Sequence, residues 1–371
     1  MDLERDPLNR RISRADMLKL AALAAGAGVM AGPTALAEAA RLRLATESGR
    51  LQVLDWAGYG NDGGQSMFAA YNHAYPHNKP QFTVMANESD ALNKLDGGLK
   101  VDLFRPYVGW VEYFAKSGLV RPWDTSRIPN FKHLNPFMVK AGQYKGKQYG
   151  IPEDWGFDAI LYRTDKVKPK ANSWGLLFDA RYKGKIAWFD DLGMITIAGL
   201  YLKAKDPWNQ TSAELAKSKA FLISKKGLAR TFWSSETDLW QAFGSGDIWI
   251  AYAWPNDWVQ MKAKKLPVVY MHPKEKPIAW VGMFMLLKGT PRPHLAHAYV
   301  NAWSSKRSGE WLENNYGYGH ANTQARPTSK ALAKAFQLDN PKAVTLPNAY
   351  LDRNIPNRAL YAHTWEQVKA A

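Results

Sequence analysis

Between Leu51 and Phe104 three short apolar runs alternate with two helical stretches, a pattern that limits the chain to folds built on a parallel sheet covered by helices. Leu51, Val53 and Leu54 fit a largely buried strand leading to Trp56 and Tyr59. Gly58, Gly60, Gly63 and Gly64 then interrupt the pattern before a helical run from Gln65 to Tyr75. Gln81 to Met85 reads as a second strand, Asn87 to Asp90 as the cap of a helix reaching Gly97, and Val101 to Phe104 as a third strand. In an open α/β sheet, ligands bind beyond the carboxyl ends of the strands. Trp56 and Tyr59 are therefore the first candidates for a pocket wall.

A helix is expected over Gly109 to Ser117. Gln148 to Tyr162, bounded by Pro and Gly and running into a long apolar strand, suits a hinge crossing. A second alternating unit follows: strands 185–189, 229–233 and 248–252, with helices 194–203, 212–223 and 237–244 between them. The continuous apolar run Ile278 to Leu287 reads as a strand returning to the first unit. Helices 294–305, 310–315 and 357–368 complete the expectation. A length of 371 residues and an apolar fraction of 46% accommodate two such units with their own cores.

Arg10, Arg11, Arg14 and Lys19 precede a mildly apolar run from Leu20 to Gly32, with small residues at Ala35, Ala37 and Ala39. This reads as an export signal over residues 1–39, too short and weakly apolar for a bilayer span. It resembles a twin-arginine signal, although Ala15 stands where the second Arg of the motif belongs. With no cysteine, disulfides, thiolate metal sites and cysteine nucleophiles are excluded. Removing residues 1–37, five basic and four acidic, leaves +15 of the formal +16. Those charges are scattered, with pairs such as Lys225-Lys226 and Lys264-Lys265 but no basic arm, so they describe a surface and not a nucleic-acid site.

Several short motifs occur in order along the chain: Asp55-Trp56-Ala57-Gly58-Tyr59, Asn87-Glu88-Ser89, Asp102-Leu103, Ile151-Pro152, Trp155-Gly156, Ala251 to Trp254, Ile278-Ala279-Trp280 and Tyr316-Gly317-Tyr318. Their collinear order resembles the periplasmic solute-binding proteins of ABC importers, in particular the spermidine/putrescine-binding group. The resemblance implies an α/β, two-lobed periplasmic binding protein fold, each lobe a mixed, mostly parallel sheet with helices on both faces, joined by hinge crossings. On this reading residues 50–157 with 279–315 form the first lobe, 158–278 the second, and 316–371 a C-terminal helical region packed on both. The implied protein is a monomer without cofactor or metal that carries a small amine to an inner-membrane ABC permease. Trp56, Tyr59, Trp254, Trp280 and Tyr318 fall on the family's aromatic box and Asp191 on a carboxylate position. Such a box holds a methylene chain between rings and an ammonium by ring quadrupoles and carboxylates.

The sequence departs from that pattern at Ala57, Tyr107, Gly109, Met194 and Gly282, where the family tends to place polar or acidic contacts. Gly282 and Met194 read as lost carboxylates. Glu153, Asp154, Glu236, Asp238 and Asp257 are nearby acids that would replace them, and a smaller, quaternary or zwitterionic amine is the alternative ligand. Arg105, after the third strand, is either a solvated loop charge or the partner of a ligand carboxylate. Trp174, Trp188, Trp240 and Trp303 are assigned to packing.

Two other classes compete. Gly58-Tyr59-Gly60-Asn61-Asp62-Gly63 is a literal GxGxxG after a strand, with Glu88 where a ribose-binding acid belongs, which suits an exported nicotinamide-dependent oxidoreductase. Tyr59, however, crowds the approach of a pyrophosphate. A glycoside hydrolase using Glu153 and Asp191 lacks any spacing that sets two carboxylates across a bond. His294 and His297, three apart on a helix, lack a third ligand and read as capping or surface groups.

Overall fold

Parallel strand pairing appears where the alternating pattern begins: β1 (Gln52–Trp56) lies between β2 (Gln81–Met85) and β3 (Leu103–Phe104) and runs parallel to both. The computed structural model describes residues 47–60, 67–338 and 349–371, of which Ser48 onward belong to a single unit. The export signal expected over residues 1–39 and the Asn61–Gly63 part of the glycine-rich loop lie outside the described residues.

Short strands β4 (Val120–Arg121), β5 (Gln143–Tyr144) and β6 (Lys147–Gln148) lead into β7 (Gly150–Arg163). Then come β8 (Ile186–Phe189), β9 (Ala229–Trp233), β10 (Ile250–Ala253), β11 (Val268–Met271), β12 (Ile278–Leu287), β13 (Gly319–His320) and β14 (Tyr350–Leu351). The main sheet runs β2-β1-β3-β12-β7-β10-β8-β9. Its two ends are parallel, β2-β1-β3 and β10-β8-β9, and the antiparallel strands β12 and β7 join them. The mixed, mostly parallel α/β architecture expected from the sequence is thus present, in the two-lobed form.

The long apolar strand expected within Gln148 to Tyr162 is present as β7, which begins at Gly150 and contains Pro152 and Gly156. β7 pairs with β12 from Gly150 to Asp158 and with β10 from Ala159 onward. It is buried along most of its length, as its apolar composition demands. Pro152 has no N–H to donate to the sheet; opposite it the register of β12 slips between Val281 and Met283, and the Met283 amide turns to Pro106 O instead at 2.8 Å. Helix starts carry their sequence signals: Asn87 caps Glu88–Asp96, and Thr211 with Glu214 forms a capping box on Ser212–Lys226. Two helices among the described residues escaped the sequence reading, Pro255–Ala263, which begins directly after Trp254, and Lys330–Phe336.

Candidate functional site

Parallel strands from the two ends of the sheet direct their carboxyl ends toward the same space. β1 ends at Trp56, β3 leads to Tyr107, β8 to Asp191, β9 to Glu236 and β10 to Trp254. These residues line two adjoining cavities. The inner one, about 70 Å³, is bounded by Glu88, Asp158, Asp191, Asp352, Trp280 and Arg358, with further aromatic walls. The outer one, about 620 Å³, is bounded by Tyr59, Glu236, Trp240, Asn256, Tyr316 and Tyr318. Trp56, Tyr107 and Trp254 line both and form a neck between them.

The aromatic wall is continuous. Trp56 stacks on Tyr107 with ring centroids 4.8 Å apart, Tyr107 stacks on Trp280 at 5.1 Å, and Trp280 meets Tyr318 edge-on at 4.9 Å. Trp254 approaches Trp56 from the opposite side at 6.4 Å. All six residues singled out in the sequence therefore border these two cavities. Trp240, assigned to packing, also lines the outer one; Trp174, Trp188 and Trp303 are fully buried, as expected.

Tyr59 is fixed from behind. Its hydroxyl donates to Asp154, which pairs with Arg105 at 3.0 Å, and Arg105 pairs with Asp55 at 2.9 Å. The guanidinium lies 3.5 Å from the Tyr59 ring centre. Arg105 is thus neither a solvated charge nor a ligand partner: it is 1% exposed and consumed by two carboxylates. Its carbonyl accepts the Trp56 indole N–H at 2.9 Å, so one residue positions both aromatic walls of β1.

Four carboxylates surround the inner cavity, Glu88 and Asp158 buried, Asp191 and Asp352 half-buried, and each is partly satisfied. Glu88 accepts the Tyr107 amide at 3.0 Å, Asp191 the Gly193 amide at 2.7 Å, and Asp352 the Trp208 indole at 3.1 Å. Asp158 Oδ1 and Trp280 Nε1 have no hydrogen-bond partner among the described residues. Burial pushes Glu88 up to about 8, with repulsion from Asp191 adding to it. Asp158 lies well above the usual carboxylate range, through burial and then through Asp352 and Asp191. Burial also raises Asp191 and Asp352, against the pull of Arg358. The cavity therefore carries an excess of acid that a cation would relieve. Among the described residues no group of three His, Cys, Asp or Glu is arranged to hold a metal.

The acids proposed from sequence as replacements fare differently. Glu153 accepts from Ser304 and Asp154 serves Arg105, and neither borders the cavities. Asp257 caps its own helix, accepting the Trp254 amide and the Trp240 indole N–H, both at 2.7 Å. Glu236 does line the outer cavity; burial and the neighbouring Asp257 hold its carboxyl well above the ordinary range. Asp158, Asp352 and Arg358 had no signal in the sequence. Met194 is buried inside the helix Gly193–Tyr201 and borders neither cavity.

A profile of the bacterial extracellular solute-binding proteins matches residues 66–340, well over half of the chain. The chain belongs to this family. Similar extracellular solute-binding proteins include the spermidine/putrescine-binding periplasmic protein 1 of Haemophilus influenzae, 25% identical over 73% of this chain and 75% of the relative. The putrescine-binding periplasmic protein PotF of Escherichia coli is also 25% identical, over 78% of this chain and 82% of its own. The crystal structure of the TpPotD lipoprotein of Treponema pallidum superposes with a TM-score of 0.73 at 18% identity, covering 86% of this chain and 99% of that one. This extracellular solute-binding protein is the periplasmic component of an ABC importer: it binds a small solute and delivers it to a membrane permease, and it is not an enzyme. The family leaves the nicotinamide-dependent oxidoreductase without support. Among the described residues no helix is long and apolar enough to cross a membrane.

Proposed function

We propose that the solute is a short diamine or polyamine, captured in the aromatic cleft between the lobes 50–157 with 279–315 and 158–278, and that the protein works as a monomer. The observation that carries this reading is the acid-lined inner cavity behind the neck of Trp56, Tyr107 and Trp254. One ammonium fits the inner cavity, the methylene chain lies between the rings of the neck, and the far end of the ligand enters the larger outer cavity beside Glu236. Ligand contacts are assigned to Trp56, Tyr59, Asp191, Trp254, Trp280 and Tyr318, with Glu88, Asp158 and Asp352 supplying the negative charge. The relatives whose names specify spermidine and putrescine support the same class.

Arg358 argues against a ligand carboxylate in the inner cavity. Its charge already faces Asp352, Glu88 and Asp191, and burial lowers its affinity for a proton, so little positive potential is left for a zwitterion. Calorimetric titration with putrescine, cadaverine and spermidine, against glycine betaine and γ-aminobutyrate, tests the reading. Binding of the diamines in preference to the other two is expected; preference for betaine or the amino acid would overturn it.

A further inference from the structure

The strong positive charge is not used by the cleft, whose inner cavity is acidic. It collects elsewhere. A groove of about 1150 Å³ lies between the turns of residues 173–182, the end of the helix Gly193–Tyr201, the loop entering β12, and β14. It shares no lining residue with either ligand cavity. Lys170, Lys203, Lys205, Lys225, Lys274 and Lys276 border it, and among the described residues none of the six has a carboxylate at ion-pairing distance.

The acids of the groove are spent internally. Asp179 is bound to Arg181 at 2.6 Å, and Glu275 accepts the Ser173 hydroxyl at 2.5 Å and the Trp174 amide at 3.1 Å. Arg353 pairs with Asp206, which leaves the lysines as the uncompensated charge. At the same rim stands one exposed aromatic side chain, Tyr350 at 37%. Basic side chains flanking an exposed aromatic group are a combination that suits a membrane interface, where phosphates meet the lysines and the ring enters the headgroup layer.

We propose that this groove docks anionic phospholipid headgroups, holding the protein on the bilayer that contains its permease. Residence on that surface confines the search for the permease to two dimensions and leaves the ligand cleft free. The site stands apart from the identity of the solute, so loss of one does not entail loss of the other.

Co-sedimentation with vesicles of roughly three parts phosphatidylcholine to one part phosphatidylglycerol tests it, with phosphatidylcholine alone as reference. Binding to the anionic vesicles only, released by about 0.5 M salt, is expected. Each lysine at such a surface is worth about fivefold in partitioning. The triple variant Lys203→Gln, Lys205→Gln, Lys274→Gln should therefore lose about a hundredfold. A control that removes the same charge elsewhere, Lys79→Gln, Lys132→Gln, Lys147→Gln, should lose less than about threefold, since those charges act only at long range. Equal losses in the two triples would reduce the effect to net charge and overturn the groove. So would absence of binding to the anionic vesicles while inorganic triphosphate binds the groove, which would make its occupant a soluble anion. Putrescine affinity is measured on both triples and should be unchanged.

Discussion

Gly282 and Gly109 each leave room for a carboxylate carried by another part of the chain. A Cβ at Gly282 would fall inside the van der Waals shell of Asp154 Oδ1, and one at Gly109 would come within 2.5 Å of Asp352 Oδ2. The space beside Gly282 is thus taken by Asp154, the partner of Arg105. Gly282→Asp should cost about 1–3 kcal/mol of stability by overpacking, and it should not tighten putrescine binding. Urea denaturation and calorimetry on the same variant read both outcomes. Trp56 is the more informative aromatic to remove. It is half-buried and stacked on Tyr107, whereas Trp254 also packs on Trp233 and Phe189, so its loss would damage the fold. Trp56→Ala should weaken putrescine binding by about 2 kcal/mol or more, as for an aromatic anchor in a desolvated pocket, and an unchanged titration would remove it from the site. Trp56 and Trp254 were legible in the sequence because each sits where a strand pattern stops, whereas Trp280, inside β12, and Tyr318, after a helix, were reached only through the resemblance to the family. Asp158 was not legible, being a single acid within the apolar run Phe157 to Tyr162. Asp352 and Arg358 were not either, since nothing in local spacing shows that the C-terminal segment returns to Gly109 and to the start of β12.

Elements follow the sequence wherever one period governs a segment. β2, β9 and β12 span the expected residues, because each is a run of apolar or β-branched residues bounded by turn formers. Pro152 and Gly156 lie inside β7 without ending it; the register slip against β12 absorbs the proline, and Gly156 admits the Trp280 ring, whose nearest atom would lie 2.5 Å from a Cβ there. The helix Pro255–Ala263 was missed because Trp254 to Asp257 reads as a site motif, although Pro at the first turn and Asp257 as its cap are start signals in their own right. The interaction that fastens β1, β3 and β7 together is the Asp55–Arg105–Asp154 triad, among the rings of Tyr59, Phe284 and Trp303. Removing the cation leaves two buried carboxylates facing each other. Arg105→Met should destabilise the protein by about 3–5 kcal/mol, which equilibrium urea unfolding measures directly.

At the scale of the whole molecule, the proposed ligand site would couple proton binding, ligand binding and closure. Burial raises Glu88 and Glu313 to about 8, so their stabilising contribution is complete below about pH 4.5 and is lost as pH rises through 8. His294 and His297, lowered to about 4 chiefly by burial, act in the opposite sense: their contribution is complete above about 6.5 and is lost as pH falls toward 4. Between about pH 6.5 and 8 only the carboxylate effect remains, and the Tm of the free protein should fall across that window. An ammonium in the cavity favours ionised Glu88, so putrescine binding should release protons and tighten over the same range, and the Tm difference between bound and free protein should widen. The geometry gives this linkage a mechanical consequence. Glu88 follows β2 at one end of the sheet and Asp191 follows β8 at the other, so once Glu88 ionises, above about pH 8, their repulsion acts across the cleft that a cation would draw together. The radius of gyration of the wild-type protein should therefore fall when putrescine is added. Above about pH 8 the variant Glu88→Gln, Asp191→Asn should have the smaller value without ligand and should not shrink further. Small-angle scattering of both proteins with and without putrescine decides it, and a wild-type radius that does not change at saturation would mean that the carboxylates bind the ligand without controlling closure.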